Sequence, residues 1–377
     1  MNVIKLTKKL LRFNTINPPG NEAGIAKYIG NILAENGFEI EYPEHCANRL
    51  NVIASRGISD LVPPIILTGH LDVVPLGEKD WSYSPFEGDI NGDRLYGRGA
   101  TDMKGGVAAM IIAAIDAFSC STPIGGIKLI FTADEELGCH GAKKLFASGY
   151  DIGQASAIVV GEPTSNKPLI AHKGGLYMKA KTTGVTAHSS MPHLGVNAIY
   201  KAAKAIVKIE KIEFDVEKDP ILGAPTLNIG KFEGGLNLNS VPDYAEFTID
   251  IRSTTQFKNE DAMNAIQNQI GPDVEIEKIV DLNAISTNEN NPFVKMVYSV
   301  CGIDPSKDES PKSAPYLTDA AVLTPWLKNA PTVILGPGEP SQAHQTDEFC
   351  YVHKLKEVVE LYKEIIINNA TLHIDEL

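Results

Sequence analysis

The chain has 377 residues, of which 43% are hydrophobic and 21% charged. That length suits two domains better than one, and the composition allows a sizeable core and excludes a disordered chain. A net charge of −13 excludes nucleic acid as a partner, because phosphate recognition needs a basic face. No apolar run reaches the roughly 18 residues of a membrane span, so no membrane contact is expected. Five cysteines without paired spacing, and an N-terminus lacking a secretory hydrophobic region, predict a reducing, cytoplasmic location.

The N-terminal residues open an amphipathic helix. A second helix is predicted over about Asn21 to Asn36. There Ile25, Tyr28, Ile29, Ile32 and Leu33 repeat at helical spacing, and Gly37 supplies the C-cap. Three apolar runs then read as buried strands, each leading to a histidine or an acid: Pro64 to His70, Ile127 to Glu136, and Ala157 to Glu162. A helix begins near Lys104, just after Asp102. This βαβ rhythm predicts an α/β fold, a mostly parallel sheet with helices on both faces.

The middle of the chain changes character. Leu176 to Val185 alternates as a strand, Gly195 to Ile209 is helical, and Thr226 to Lys231 and Tyr244 to Arg252 alternate again. Asn259 to Ile270 is helical and Val274 to Val280 is a last strand. The order β-α-β-β-α-β is that of a ferredoxin-like unit, a four-stranded sheet with helices on one face. Its free face or edge suggests a dimer. From about Ala284 the α/β pattern resumes, with a strand at Thr332 to Gly336 and a helix over Leu355 to Asn369. The expected domains are therefore a discontinuous catalytic domain, residues 1–172 and 284–377, and an inserted α+β domain, residues 173–283.

His70, Asp102, Glu136, Glu162 and His344 lie at or beyond strand ends, where an open α/β sheet assembles a site. Two histidines and three carboxylates point to metal, enough for two ions. In His70-Leu-Asp72 the strand period puts both polar side chains on one face, so Asp72 is placed to orient the imidazole; a bland surface pair is the competing reading. The glycine-rich stretch Gly97 to Gly106 lacks the spacing of a phosphate loop. Within it Asp102 fits either a helix N-cap or a carboxylate bridging two cations. Asp134-Glu135-Glu136 reads as a solvated turn or as adjacent acids with separate tasks, one on metal and one on water. Packing them without a cation would raise their pKa values. Cys139 and His140 receive no role.

Together these segments resemble the dinuclear-zinc M20 metallopeptidase family, in particular its succinyl-diaminopimelate desuccinylase and acetylornithine deacetylase branch. The residues that carry the resemblance are Gly69-His-Leu-Asp-Val-Val-Pro75, Leu95 to Gly106, Ala133-Asp-Glu-Glu136, Gly161-Glu-Pro-Thr164, Ala187-His-Ser-Ser190, Gly336-Pro-Gly338 and Ala343-His-Gln345. The resemblance covers essentially the whole chain. It implies two Zn²⁺ per subunit, with Co²⁺ or Mn²⁺ as substitutes. Asp102 would bridge the ions, His70 and Glu162 would complete one, and Glu136 and His344 the other. Glu135 would be the general acid/base and Asp72 the supporting carboxylate. The inserted domain would form a homodimer and bring His188 to a partner's site as an oxyanion donor. Arg252 and Asn239 would hold a substrate carboxylate. The implied reaction removes an N-acyl group from a small amino acid. Succinyl-diaminopimelate desuccinylase is the first expectation and acetylornithine deacetylase the alternative, followed by an M20 dipeptidase or carboxypeptidase, or a non-catalytic relative. One stretch departs from the best-known desuccinylases: where those carry Arg-Arg-Gly, this chain reads His172-Lys-Gly-Gly175, which puts the acyl group in doubt.

Overall fold

The apolar runs line up as neighbours in a computed structural model of the chain, which describes residues 2–120, 123 and 125–372. The strands Ile127–Thr132, Ile65–His70, Ala157–Val160 and Thr332–Ile334 lie side by side in that order, all parallel. Each is almost wholly buried, which explains their high Val, Ile and Leu content. Burying one such side chain contributes about 1.5–3 kcal/mol.

Two further strands, Val52–Arg56 and Glu39–Glu41, extend the sheet antiparallel, so it is mixed rather than purely parallel. The connection between these two is too short for a crossover, and short connections permit only antiparallel pairing. The helix Lys104–Cys120 packs on Ile65–His70 and between the helices Val3–Leu11 and Val352–Leu372. It is buried on nearly every side along its first eleven residues. That burial, rather than amphipathicity, accounts for its apolar sequence.

The chain divides into two units. The larger comprises residues 1–171, 286–312 and 318–377, and the smaller residues 172–285 with 313–317. In the smaller unit the strands Gly175–Thr183, Thr226–Gly234, Tyr244–Arg252 and Val274–Leu282 form one antiparallel sheet. Their spatial order is second, third, first, fourth, the arrangement of a ferredoxin-like unit. Alternate residues Leu176, Met178 and Ala180 face Phe247, Ile249 and Ile251 in one core, together with Ala202, Ala205 and Ile209 of the helix Ala198–Glu210 and Ala262 and Ile266 of the helix Asn259–Ile270. Among the described residues, Thr226–Gly234 pairs along only one of its edges. No helix among the described residues is long and apolar enough to cross a membrane.

Candidate metal centre

Parallel strands deliver their C-terminal ends to the same side of a sheet, and the polar residues gather there. His70 is the last residue of its strand, and Glu162 follows its strand by two residues. After Ile127–Thr132 the chain turns sharply at Asp134, which adopts a positive φ of 58°. Glu135 and Glu136 therefore leave the sheet in a new direction. Two glycines let this ridge pack closely. A Cβ at Gly106 would lie 2.4 Å from the carbonyl oxygen of Gly161, and one at Gly336 would lie 2.2 Å from that same oxygen and 2.4 Å from that of Glu162. Part of the glycine-rich stretch thus serves close backbone approach beside Glu162.

Asp102 sits just ahead of the helix Lys104–Cys120, and its two carboxylate oxygens face opposite partners. Oδ1 is 3.1 Å from His70 Nε2, and Oδ2 is 3.4 Å from His344 Nε2. His70 Nε2 also lies 3.8 Å from Glu162 Oε1, and His344 Nε2 lies 3.2 Å from Glu136 Oε2. Two clusters result, His70–Asp102–Glu162 and Asp102–Glu136–His344, each with its ligand atoms within 4.8 Å of one another. They share Asp102. Imidazole nitrogen and carboxylate oxygen form a donor set that suits zinc and related divalent ions. Oε1 of Glu136 is buried without a hydrogen-bond partner among the described residues, an acceptor that a cation would satisfy.

The electrostatics agree with that fit. Burial pushes the Glu162 carboxyl well above its ordinary range. Burial, with the charge of Asp102, also raises Glu136. Burial would raise Asp102 too, but hydrogen bonds from His344 and His70 hold it below the usual carboxylate range. Hydrogen bonds to Asp102 and Glu136 lift His344 to about 10. Burial opposes the charge on His70, yet the hydrogen bonds of Asp102 and Asp72 raise it well above the ordinary value. In the absence of cations, protons on these histidines take over the neutralising role.

Asp72 lies beside His70, and its carboxylate serves both that imidazole and the turn that follows the neighbouring strand. The ring Nδ1 of His70 is 2.9 Å from the backbone carbonyl of Asp72 and 3.6 Å from its Oδ1. The strand ends at His70, so period-two geometry does not carry through to Asp72. Its carboxylate also accepts from the backbone N–H of Glu135 at 3.0 Å and of Glu136 at 3.2 Å. It thereby ties the turn bearing the two glutamates to the strand end bearing His70.

Glu135 is buried, and burial pushes its carboxyl well above the ordinary value. Two neighbours that carried no sequence signal surround it. Cys139 Sγ donates to Glu135 Oε1 at 3.4 Å, and Asp319 completes a buried cluster with them. Burial raises Asp319 to about 6. A third unsuspected group centres on Asp134. Its carboxylate accepts from Asn17 Nδ2 at 2.7 Å and pairs with His45 at 2.9 Å, Arg49 at 3.2 Å and His140 at 3.3 Å. The same Asn17 nitrogen donates to Asp72 at 2.8 Å. His140 thus belongs to the support of this turn.

The other three predicted residues belong to the smaller unit. His188 is exposed, and its Nδ1 accepts from the backbone N–H of Ser190 at 3.1 Å. Ser189 N–H donates to the carbonyl of Asn239 at 3.0 Å, so the chain brings His188 and Asn239 into adjoining segments. Arg252 is paired with Asp250 at 2.9 Å, and its guanidinium carbon lies 4.9 Å from the centroid of the Tyr177 ring.

A family model described as peptidase family M20/M25/M40 matches residues 66–368, and the chain belongs to that family. It is a metal-binding hydrolase of amide bonds. A Staphylococcus aureus protein described as a probable succinyl-diaminopimelate desuccinylase is 30% identical over 401 residues, covering 97% of this chain and 96% of that protein. An acetylornithine deacetylase of Vibrio cholerae is 30% identical over 344 residues, covering 88% and 87%. The crystal structure of an M20 family metallo-carboxypeptidase from Sulfolobus solfataricus superposes with a TM-score of 0.80 at 18% identity, covering 98% of this chain and all of that one; at that identity the likeness speaks for the fold.

Proposed function

We propose that the chain is a dinuclear zinc deacylase, acting as a homodimer, that hydrolyses N-succinyl-LL-2,6-diaminopimelate to succinate and LL-diaminopimelate. The observation that carries the dinuclear reading is the carboxylate of Asp102, with one oxygen toward His70 and the other toward His344. His70, Asp102 and Glu162 would hold one ion, and Asp102, Glu136 and His344 the other. Cations bound there supply Lewis acidity to the scissile carbonyl and lower the pKa of water.

The chain's own residues do the rest. Glu135, kept out of bulk water and lifted in pKa, takes a proton from the attacking water as the water oxygen bonds to the carbonyl carbon. It returns that proton to the amine nitrogen as the C–N bond breaks. Asp72 holds the backbone of Glu135 and Glu136 in place. His188, in the exposed segment beside Asn239, donates to the oxyanion in the partner's site, and Arg252 with Asn239 receives a substrate carboxylate. The free edge of Thr226–Gly234 and the exposed Phe232, Leu236 and Leu238 support pairing of two copies through the smaller unit.

The succinyl group rests on relatives such as the staphylococcal protein, which match nearly the full length. The acetyl alternative draws on the Vibrio relative and on the stretch His172-Lys-Gly-Gly175. A hydrolysis panel of N-succinyl-LL-diaminopimelate, N-acetylornithine and several dipeptides, run with added Zn²⁺, separates them. The proposal expects the succinyl substrate to lead in kcat/KM by at least about tenfold, a gap of 1.4 kcal/mol. A preference for either of the others overturns it.

A further inference from the structure

Glu348 is fully buried, four residues beyond His344. Its carboxylate accepts from the backbone N–H of Gly99 at 3.1 Å, of Thr101 at 2.8 Å and of Asp102 at 3.0 Å. Arg98 Nη1 donates to it at 2.6 Å. Arg98 is itself only 1% exposed. Its second terminal nitrogen donates to the carbonyl of Pro75 at 3.0 Å and reaches that of His344 at 3.5 Å. The Thr101 hydroxyl adds a bond to the carbonyl of Phe349 at 2.6 Å. One ion pair therefore gathers backbone from three segments: the turn that carries Asp102, the loop that carries His344, and the stretch after His70-Leu-Asp72.

These contacts are unequal for the two clusters. His70 is fixed by its place in the parallel sheet, and Glu162 follows directly from a sheet strand. His344 instead stands on a loop, with positive φ and a side chain 54% exposed. The short antiparallel pair of Phe349–Tyr351 with Arg94–Tyr96 brings its loop near the Asp102 turn, but the contacts between the two segments beyond that pair centre on Glu348 and Arg98.

We propose that the Arg98–Glu348 pair is a clasp that sets the spacing between Asp102 and His344 and so governs filling of the cation position formed by Asp102, Glu136 and His344. The inference rests on the two-ion reading above. Arg98 and Glu348 are positioning residues, since neither is among the groups placed on the cations or the substrate. A buried carboxylate bonded to three backbone N–H groups and a guanidinium is a rigid joint. Partners behind metal ligands typically alter affinity by 10–100-fold when removed.

The test is a titration of metal-free full-length protein with Co²⁺, followed by visible absorption, for the unsubstituted chain, E348Q and R98K. The unsubstituted chain takes up two equivalents. E348Q keeps its first equivalent within about threefold of the unsubstituted affinity and loses about 10–100-fold on the second. Its kcat falls at low Co²⁺ and recovers when Co²⁺ saturates, while KM stays level. R98K shifts in the same direction, because a lysine keeps the charge but cannot donate as a fork. It carries the test if E348Q does not fold. Two equivalents of unchanged affinity in the variants, with only a lower melting temperature, would overturn the clasp and leave the two-ion reading standing. An equal loss on both equivalents would do the same. A single equivalent on the unsubstituted chain would overturn the two-ion reading and the clasp with it.

Discussion

The two units carry their candidate residues in opposite ways. In the larger unit His70, Asp102, Glu136 and Glu162 are withdrawn from bulk solvent; His70 faces Asp102 and Glu162, and Glu136 shares His344 with Asp102. In the smaller unit His188 and Asn239 are exposed and bonded mostly through the backbone. The first group is held by strand ends and by buried hydrogen bonds between segments. The second is organised only as a segment of chain, and its chemistry depends on what it meets. Preorganised groups supply most of the electrostatic stabilisation in a catalytic site, whereas exposed ones gain value on being covered.

The sharpest way to break this contrast is Glu135→Gln. The variant should retain two cations per chain by elemental analysis and lose about a hundredfold to ten-thousandfold in kcat. Near-normal turnover would remove Glu135 from the proton transfer. Phe247→Ala probes the smaller unit's core. Deleting a fully buried ring should cost about 3–5 kcal/mol in denaturant unfolding, with cation content of the remaining folded protein unchanged. His188→Ala should lower kcat by about a hundredfold to a thousandfold while leaving cation content and sedimentation unaltered. An unchanged kcat would leave His188 an exposed turn residue.

A pH experiment addresses the larger unit alone. Without cations, His344 is raised to about 10 by Asp102 and Glu136, and His70 is also raised. Cation binding needs neutral imidazoles. Calorimetry at pH 7 in buffers of different ionisation enthalpy should therefore detect proton release, and affinity should climb as pH rises toward 10. The sign for stability is the reverse. His344 has a folded value above the ordinary unfolded value of about 6.5. Its contribution to the metal-free fold is complete below that pH and fades as pH rises toward 10. The smallest effect belongs to Lys181→Ala. It breaks the 2.6 Å pair with Glu277 on the exposed face of the smaller sheet, and should shift stability by less than about 1 kcal/mol.

Much of the site was legible because its residues punctuate strong local patterns. Four largely apolar runs announced buried parallel strands, and polar residues at their ends had few other reasons to be there. The alternating runs of the middle stretch similarly announced the antiparallel unit. Asn17, Asp319, Arg98 and Glu348 gave no such sign. Their partners are far along the chain: Asn17 meets Asp134 117 positions on, and Arg98 meets Glu348 250 positions on. Asp72 shows the intermediate case. Its proximity to His70 was readable, but its bonds to the Glu135 and Glu136 amides depend on a turn that only neighbouring strands bring within reach.

By itself the sequence determined the strands that carry the site and the elements of the inserted unit, because hydrophobic period and turn residues act over a few positions. It also determined which residue types could take up a divalent cation, since that follows from their donor atoms. The tertiary structure alone decided which of them share a carboxylate, which backbone groups hold them, and which acids lose water enough to change their pKa. Those are matters of distance and burial among segments far apart in the chain, and a sheet must form before they exist.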